Sequence, residues 1–180
     1  MEQKLEGRVA VITGAGRGLG RAYALHLAKL GADIVANDID LHSHKQFNEK
    51  MTADTVVEEV QALGRRAIGL ECDATVRGDV DDMFEKAIAE FGHIDILVNN
   101  AGGLQKNPET SFASTIPEED LRREVDRNLM SCIFCSQAAA RSMKEQRYGR
   151  IVNVSSQAGL KGGADGFYAS YGLAKAAIVN

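Results

Sequence analysis

At 180 residues the chain is long enough to bury a substantial core, and we predict a single domain over residues 1–180. Its composition, 44% hydrophobic and 26% charged, is that of an ordinary globular protein, and its net charge of −4 comes without a basic patch for nucleic acid. No apolar run approaches the roughly 20 residues of a membrane span, and the charged N-terminus lacks a signal-type apolar region. These features predict a cytoplasmic protein that binds neither nucleic acid nor membranes.

Strand-like and helix-like segments alternate along the whole chain. The predicted strands, short apolar runs, are residues 8–13, 33–37, 66–71, 94–99 and 150–155. The predicted helices, which show helical spacing, are residues 18–30, 52–63, 80–91 and 117–145, with a last helix beginning near Ala169. Residues 39–50 and 103–116 are the two long irregular segments.

This alternation predicts an α/β fold with a doubly wound parallel sheet of the Rossmann type, covered by helices on both faces in three layers. Right-handed crossovers between parallel strands favour that topology. No sixth strand follows residues 150–155, so we expect the fifth strand to form an exposed parallel edge.

The first predicted strand runs directly into a glycine-rich turn, Thr13-Gly14-Ala15-Gly16-Arg17-Gly18-Leu19-Gly20. Such a turn lets a diphosphate approach the N-terminus of the following helix. Asp38 ends the second strand 18 residues after Gly20, close to the spacing at which a carboxylate accepts hydrogen bonds from an adenosine ribose diol. The alternative is a tight turn followed by a surface aspartate, but the strand–turn–helix context favours a dinucleotide site.

Asp38 also bears on the choice of dinucleotide. A carboxylate at the ribose repels a 2′-phosphate, so NAD(H) is predicted and NADP(H) is the alternative. Arg17 complicates this prediction, because a guanidinium in the turn could reach that phosphate. Contact of Arg17 with the adenine face or with solvent is the other interpretation.

A second group of polar residues lies near the end of the chain. Tyr171 and Lys175 are four residues apart, and Ser156 precedes Tyr171 by fifteen. Free tyrosine has a pKa near ~10, too high for proton transfer at neutral pH, and an ammonium one helical turn away stabilises the phenolate. With a dinucleotide site in the same chain, the pair predicts hydride transfer, although a solvated i, i+4 pair is the simpler alternative. Ser155 competes with Ser156 for the same role. Because strand alternation sends the two side chains to opposite faces, only one of them can point at the cofactor cleft.

Four motifs, taken in order, resemble those of the classical short-chain dehydrogenases/reductases (SDR). They are T-G-x-x-x-G-x-G at residues 13–20, N-N-A-G at residues 99–102, the strand-and-serine segment at residues 151–156, and Y-x-x-x-K at residues 171–175. The motifs follow one another in the order found in the family, and the resemblance extends over nearly all of the chain. Members of the family continue past the Tyr/Lys helix with two more strands and a substrate-covering loop. The resemblance therefore implies that the C-terminal part of the domain is missing and that the sheet is truncated after its fifth strand.

The resemblance implies catalytic roles for four residues. Tyr171 would be the acid/base and Lys175 would stabilise its phenolate and hold the nicotinamide ribose. Ser156 would hydrogen-bond the substrate oxygen, and Asn128 would support a proton-relay water beside the lysine. The implied cofactor-binding residues, with Asp73 at the adenine, are Gly14, Gly16, Arg17, Gly18, Leu19, Gly20, Asp38, Asp73, Ala74, Asn100, Ala101, Gly102, Tyr171 and Lys175. No metal is expected.

The expected function is therefore NAD(H)-dependent interconversion of a secondary alcohol and a ketone, both small molecules, by a homodimer or homotetramer. One alternative is a 3-oxoacyl or 3-hydroxyacyl thioester oxidoreductase, which shares every motif quoted. Another, from a different class, is a non-catalytic dinucleotide-binding module.

Two cysteines, Cys132 and Cys135, form a C-x-x-C that invites a redox or metal interpretation. The pair lies inside a long helical pattern, and no second cysteine pair completes a zinc site. We predict that both act as small apolar residues.

Overall fold

Five parallel strands form one twisted sheet in the order β3-β2-β1-β4-β5. The structure is a computed structural model and describes residues 3–104, 111–161 and 166–180. The strands are β1 (Val9–Thr13), β2 (Asp33–Asp38), β3 (Ala67–Glu71), β4 (Ile96–Asn99) and β5 (Arg150–Asn153). The chain moves outward from β1 to β3 and then returns to the other side of β1, so the predicted doubly wound α/β fold is confirmed.

Helices cover both faces of this sheet. They are α1 (Gly18–Lys29), α2 (Val56–Ala62), α3 (Arg77–Phe91), α4 (Glu118–Val125), α5 (Ser131–Glu145) and α6 (Ala169–Val179). Alternate residues of β1 point to opposite faces: Val9 and Val11 pack into a core with α3 and α5, whereas Ala10 and Ile12 pack with α1 and α2. Among the helices in the described ranges, none combines the length and apolar character of a membrane span.

Several predicted boundaries differ from the structure. The predicted helix 117–145 is interrupted by a π-helical segment, Asp126–Met130, which divides it into α4 and α5. The predicted helix 52–63 begins only at Val56, because Thr55 forms a reciprocal capping box with Glu58. Part of the predicted irregular segment 39–50 is a 3₁₀ turn, Ser43–Phe47. Much of the other irregular segment, 103–116, lies outside the described residues.

Two strands are each two residues shorter than predicted. The strand predicted over residues 94–99 begins at Ile96, and the one predicted over residues 150–155 ends at Asn153. Just before β4, the carboxylate of the buried Asp95 accepts hydrogen bonds from the Arg8 guanidinium and the Val9 amide, at 2.8 and 2.9 Å. The outer strand β5 is exposed along its length, with Val152 51% exposed.

Candidate active site

A cleft of about 970 Å³ opens at the carboxyl ends of the strands, next to β1 and β4. This is the point where the strand order reverses, the usual ligand position in an open α/β sheet. Most of the residues predicted to bind a cofactor line it. They are Gly14, Arg17, Gly18, Leu19, Asp38, Asp73, Ala74, Asn100, Ala101, Gly102, Tyr171 and Lys175. The remaining predicted residues, which are not among those that line the cleft, are Gly16, Gly20, Asn128 and Ser156.

The glycine turn packs closely against its surroundings. Gly14 has a φ of 65°, a conformation that favours glycine, and a methyl group at Gly20 would overlap the Gly14 carbonyl. A methyl group at Gly16 would lie 2.9 Å from the Asp38 carboxylate. The turn therefore needs small residues for close backbone approach, as well as for its own conformation.

Asp38 is positioned by the turn that it faces. Its Oδ2 accepts a hydrogen bond from the Gly16 amide at 2.8 Å, and its Oδ1 accepts one from the Asp40 amide at 3.3 Å. A carboxylate has about four acceptor positions, so two remain for other donors. With the exposed start of α1 beside it, this arrangement fits the ribose and diphosphate of a dinucleotide.

Thr13 and Asn100 join the ends of β1 and β4. The Thr13 hydroxyl accepts from the amides of Asn100 and Ala101 at 3.0 and 2.9 Å. The Asn100 side chain donates to the carbonyls of Thr13 and Gly14 at 3.0 and 3.1 Å. Asn100 therefore fixes the two central strands and the first glycine of the turn.

Asn128 lies in the π-helical segment and is buried. Its Oδ1 accepts from the Gly103 amide at 3.0 Å, and its Nδ2 donates to the Gly103 and Glu124 carbonyls at 3.1 and 3.0 Å. These bonds attach the interrupted helix to the segment after β4. A π-bulge of this kind is frequent at functional sites.

Lys175 is almost completely buried, with 4% of its surface exposed. Its Nζ donates to the Val154 carbonyl at 2.8 Å and lies 5.8 Å from the centroid of the Tyr171 ring. Burial lowers the pKa of the Lys175 ammonium, because desolvation disfavours its charged form. The structure thus brings the predicted lysine and tyrosine together at the cleft.

The two candidate serines differ in their contacts. The Ser155 hydroxyl lines the cleft and donates to the Lys175 carbonyl at 2.8 Å. The Ser156 hydroxyl caps the 3₁₀ turn Gln157–Gly159 by accepting from the Ala158 amide at 3.2 Å. The catalytic role assigned to Ser156 stays a prediction.

The other polar residues of interest have local roles. Asp73 accepts from the amide and the hydroxyl of Thr75, which orients its carboxylate at the cleft. Cys132 and Cys135 are buried free thiols, and burial raises the pKa of Cys135 to about 12. Within the described ranges, no group of three His, Cys, Asp or Glu residues is placed to hold a metal ion.

Sequence reasoning missed three contacts that shape the site. Glu124 is buried beside Asn128, and its spacing of four residues in a helical pattern was the available signal. Phe47 stacks on Arg17, and Glu49 accepts from the Gly18 amide at 2.8 Å. Both come from the segment predicted as irregular, where no periodicity indicates a partner.

Comparison with known proteins agrees with this geometry. The family model described as short chain dehydrogenase matches residues 8–180. The chain therefore belongs to the short-chain dehydrogenase family, as its motifs predicted.

Individual relatives share most of this chain. It is 46% identical over 177 residues to cyclohexanol dehydrogenase of Rhodococcus sp. (strain TK6), covering 97% of this chain and 66% of that protein. It is 34% identical to 3-oxoacyl-[acyl-carrier-protein] reductase of Synechocystis sp., covering 97% and 65%. Peroxisomal multifunctional enzyme type 2 of Drosophila melanogaster is 42% identical, with 88% of this chain and 25% of that protein covered.

Solved structures show the same similarity. NAD+-bound xylitol dehydrogenase aligns with a TM-score of 0.84 at 32% identity, covering 98% of this chain and 62% of the other. A 7α-hydroxysteroid dehydrogenase complexed with NADH and 7-oxo glycochenodeoxycholic acid aligns with a TM-score of 0.83 at 34% identity, covering 98% and 63%. The chain thus spans about two thirds or less of the relatives that it matches.

Proposed function

We propose that the protein is an NAD(H)-dependent oxidoreductase that interconverts a secondary alcohol and a ketone. The observation that carries this proposal is the shared cleft. Asp38, the carboxylate placed to bind an adenosine ribose, lines the same cavity as the Tyr171–Lys175 pair. The identity to cyclohexanol dehydrogenase supports a secondary alcohol as the substrate class. A pure binding module has no need of the tyrosine–lysine pair.

The proposed mechanism assigns one task to each polar residue. A nicotinamide dinucleotide held by cleft residues such as Asp38 and Lys175 would supply the hydride acceptor for oxidation and the hydride donor for reduction. Tyr171 takes the hydroxyl proton during oxidation and gives it back during reduction, and Lys175 stabilises the phenolate. Ser156 hydrogen-bonds the substrate oxygen and stabilises the charge that develops there.

Asn128 is proposed to serve the proton path behind Lys175. Its amide group is held by Gly103 and Glu124, so it is oriented by backbone groups on two elements. Rigid placement of this kind suits a residue that positions a water molecule for proton transfer.

The preference for NAD(H) rests on Asp38. Its carboxylate faces the cleft with acceptor positions left for a ribose diol, and a 2′-phosphate there would be repelled. Asp73, oriented by Thr75, is proposed to hydrogen-bond the adenine. The NAD+ and NADH named with the two solved relatives support the same choice.

A second candidate is a 3-oxoacyl or 3-hydroxyacyl thioester oxidoreductase. The identity to a 3-oxoacyl-[acyl-carrier-protein] reductase supports it, and the chemistry at Tyr171 would be the same. In either case we propose a homodimer or homotetramer, by analogy with the family, which light scattering would measure.

The test is to follow NADH formation by absorbance with full-length protein and a panel of alcohols. We expect turnover of cyclic and acyclic secondary alcohols with NAD+, at least tenfold faster than with NADP+. Faster turnover of 3-hydroxyacyl thioesters would replace the first candidate by the second. NADH binding without turnover of any substrate would support the binding-module alternative instead.

A further inference from the structure

Arg17 is the residue that complicates the proposed preference for NAD(H). It follows Gly16, whose amide binds Asp38, and it lines the same cleft. A guanidinium at this place is suited to pair with a 2′-phosphate on the adenosine ribose. If it were available, it would oppose the selection against NADP(H) that the Asp38 carboxylate provides.

The structure shows that Arg17 is already engaged by an aromatic ring. Its Cζ lies 3.5 Å from the centroid of the Phe47 ring, a cation–π stack at the rim of the cleft. Phe47 is 54% exposed, so its ring lies at the surface while it stacks on the Arg17 guanidinium.

A carboxylate from the same segment lies at the start of α1. Glu49 accepts from the Gly18 amide at 2.8 Å and pairs with Arg21 Nη1 at 2.8 Å. Its ion pair is therefore with Arg21, and Glu49 holds the start of α1 rather than the Arg17 guanidinium.

The segment that carries both residues is firmly held. Asp40 accepts from the His42 amide at 2.8 Å and from the Gln46 side chain at 3.1 Å, which closes the 3₁₀ turn. His44 is buried, and Leu41 packs against the core cluster that contains Ile34 and Ala36 of β2. Phe47 is therefore presented to Arg17 by a fixed support.

We propose that Phe47 is a cofactor-specificity residue, which stacks on the Arg17 guanidinium and so withholds it from a 2′-phosphate. This inference rests on the proposed NAD(H) site and explains how a turn containing an arginine remains selective against NADP(H). Release of an exposed cation–π stack is worth roughly two- to fivefold in an equilibrium constant.

The experiment is a titration of full-length protein with NADH and NADPH, followed by nicotinamide fluorescence, which needs no turnover. We expect Phe47→Leu to raise the affinity for NADPH relative to NADH about threefold. Phe47→Tyr, which keeps the ring face, is the matched control and retains the wild-type ratio.

The Arg17→Ala background provides the decisive comparison. Because the inference requires the guanidinium, Phe47→Leu must have no effect on the ratio when Arg17 is absent. An unchanged ratio in Phe47→Leu alone, or a shift that persists with Arg17→Ala, would overturn the inference and leave the proposed function standing. A wild-type protein that binds neither dinucleotide, or prefers NADPH, would overturn the proposed function and this inference with it.

Discussion

At the scale of single residues, the site depends on close approach between backbone segments. The Gly20 Cα lies so near the Gly14 carbonyl that no side chain fits between them. The sequence predicted the importance of this glycine from its motif, but the reason is visible only in the contact. The obstacle is backbone, which cannot move aside cheaply.

We therefore expect Gly20→Ala to lose NADH binding by at least about tenfold and to lower the unfolding free energy by about 1–3 kcal/mol. Gly78→Ala is the matched control, since Gly78 in α3 has open space around it and should be stabilised slightly. Fluorescence titration and chemical denaturation measure the two effects. Normal NADH binding by Gly20→Ala would contradict the proposed role of the turn.

Lys175 is proposed to act in catalysis, and its burial also affects the stability of the fold. Burial lowers the pKa of Lys175, because water solvates its charge in the unfolded state but not in the folded state. At neutral pH the buried charge therefore lowers the free energy of unfolding. This cost is present below the folded pKa and disappears as the pH rises towards the ordinary value of 10.5. The contribution of Lys175 to the free energy of unfolding should therefore become more favourable as the pH rises in the alkaline range.

For Lys175→Met we expect turnover to fall by about 100-fold or more, while the unfolding free energy at pH 7 stays within about 1 kcal/mol of wild type. The loss of the bond to Val154 is offset by removal of the buried charge. Lys144→Met, at an exposed position on α5, should leave both quantities unchanged. Turnover within a few-fold of wild type would exclude the proposed role of the ammonium.

At the scale of elements, an ion-pair network connects α1 to α2 and to the segment that joins β2 to α2. Arg21 pairs with Glu59 through two bonds of 2.6 and 2.7 Å, and Thr52 donates to the same carboxylate. The Glu59 side chain is 1% exposed. Its hydrogen bond with Arg21, together with those from Thr52, lowers the pKa of Glu59 to about 2.

A lowered carboxyl pKa stabilises the fold above the unfolded value of 4.5, and the stabilisation is lost as the pH falls from 4.5 to about 2. We expect Glu59→Gln to cost about 2–3 kcal/mol of unfolding free energy at pH 7, with the difference from wild type shrinking over that acid range. Denaturation at several pH values measures this. The exposed pair Arg66–Glu90 is the control, and Glu90→Gln should change stability little. A pH-independent difference for Glu59→Gln would refute the assignment.

The elements also show how far periodicity carries a prediction. Five strands and their flanking helices follow from apolar runs, and the whole of β1 is buried as its sequence suggests. The π-helical segment Asp126–Met130 could not be predicted, because its residues continue the same helical spacing as their neighbours. The contacts of Phe47 and Glu49 could not be predicted either, since they join residues about 30 positions apart.

At the scale of the whole molecule, the sheet order brings the two ends of the sequence together. β1 and β4 are neighbours, so the turn after β1 faces the segment after β4, and β5 delivers α6 to the same edge. The sequence motifs predicted many of the residues that line the cleft, because carboxyl ends of parallel strands lie at one edge. They could not predict that Ser155 lines the cleft while Ser156 caps a 3₁₀ turn, which depends on local hydrogen bonds.

The most direct test of the account is a comparison of wild type with Tyr171→Phe, which keeps the ring and removes only the hydroxyl. NADH affinity is measured by fluorescence, and turnover of a secondary alcohol with NAD+ by absorbance. We predict NADH binding within about twofold of wild type and turnover reduced by about 100-fold or more, since general acid/base catalysis contributes that much. Normal NADH binding with undiminished turnover would contradict the assignment of Tyr171 as the acid/base.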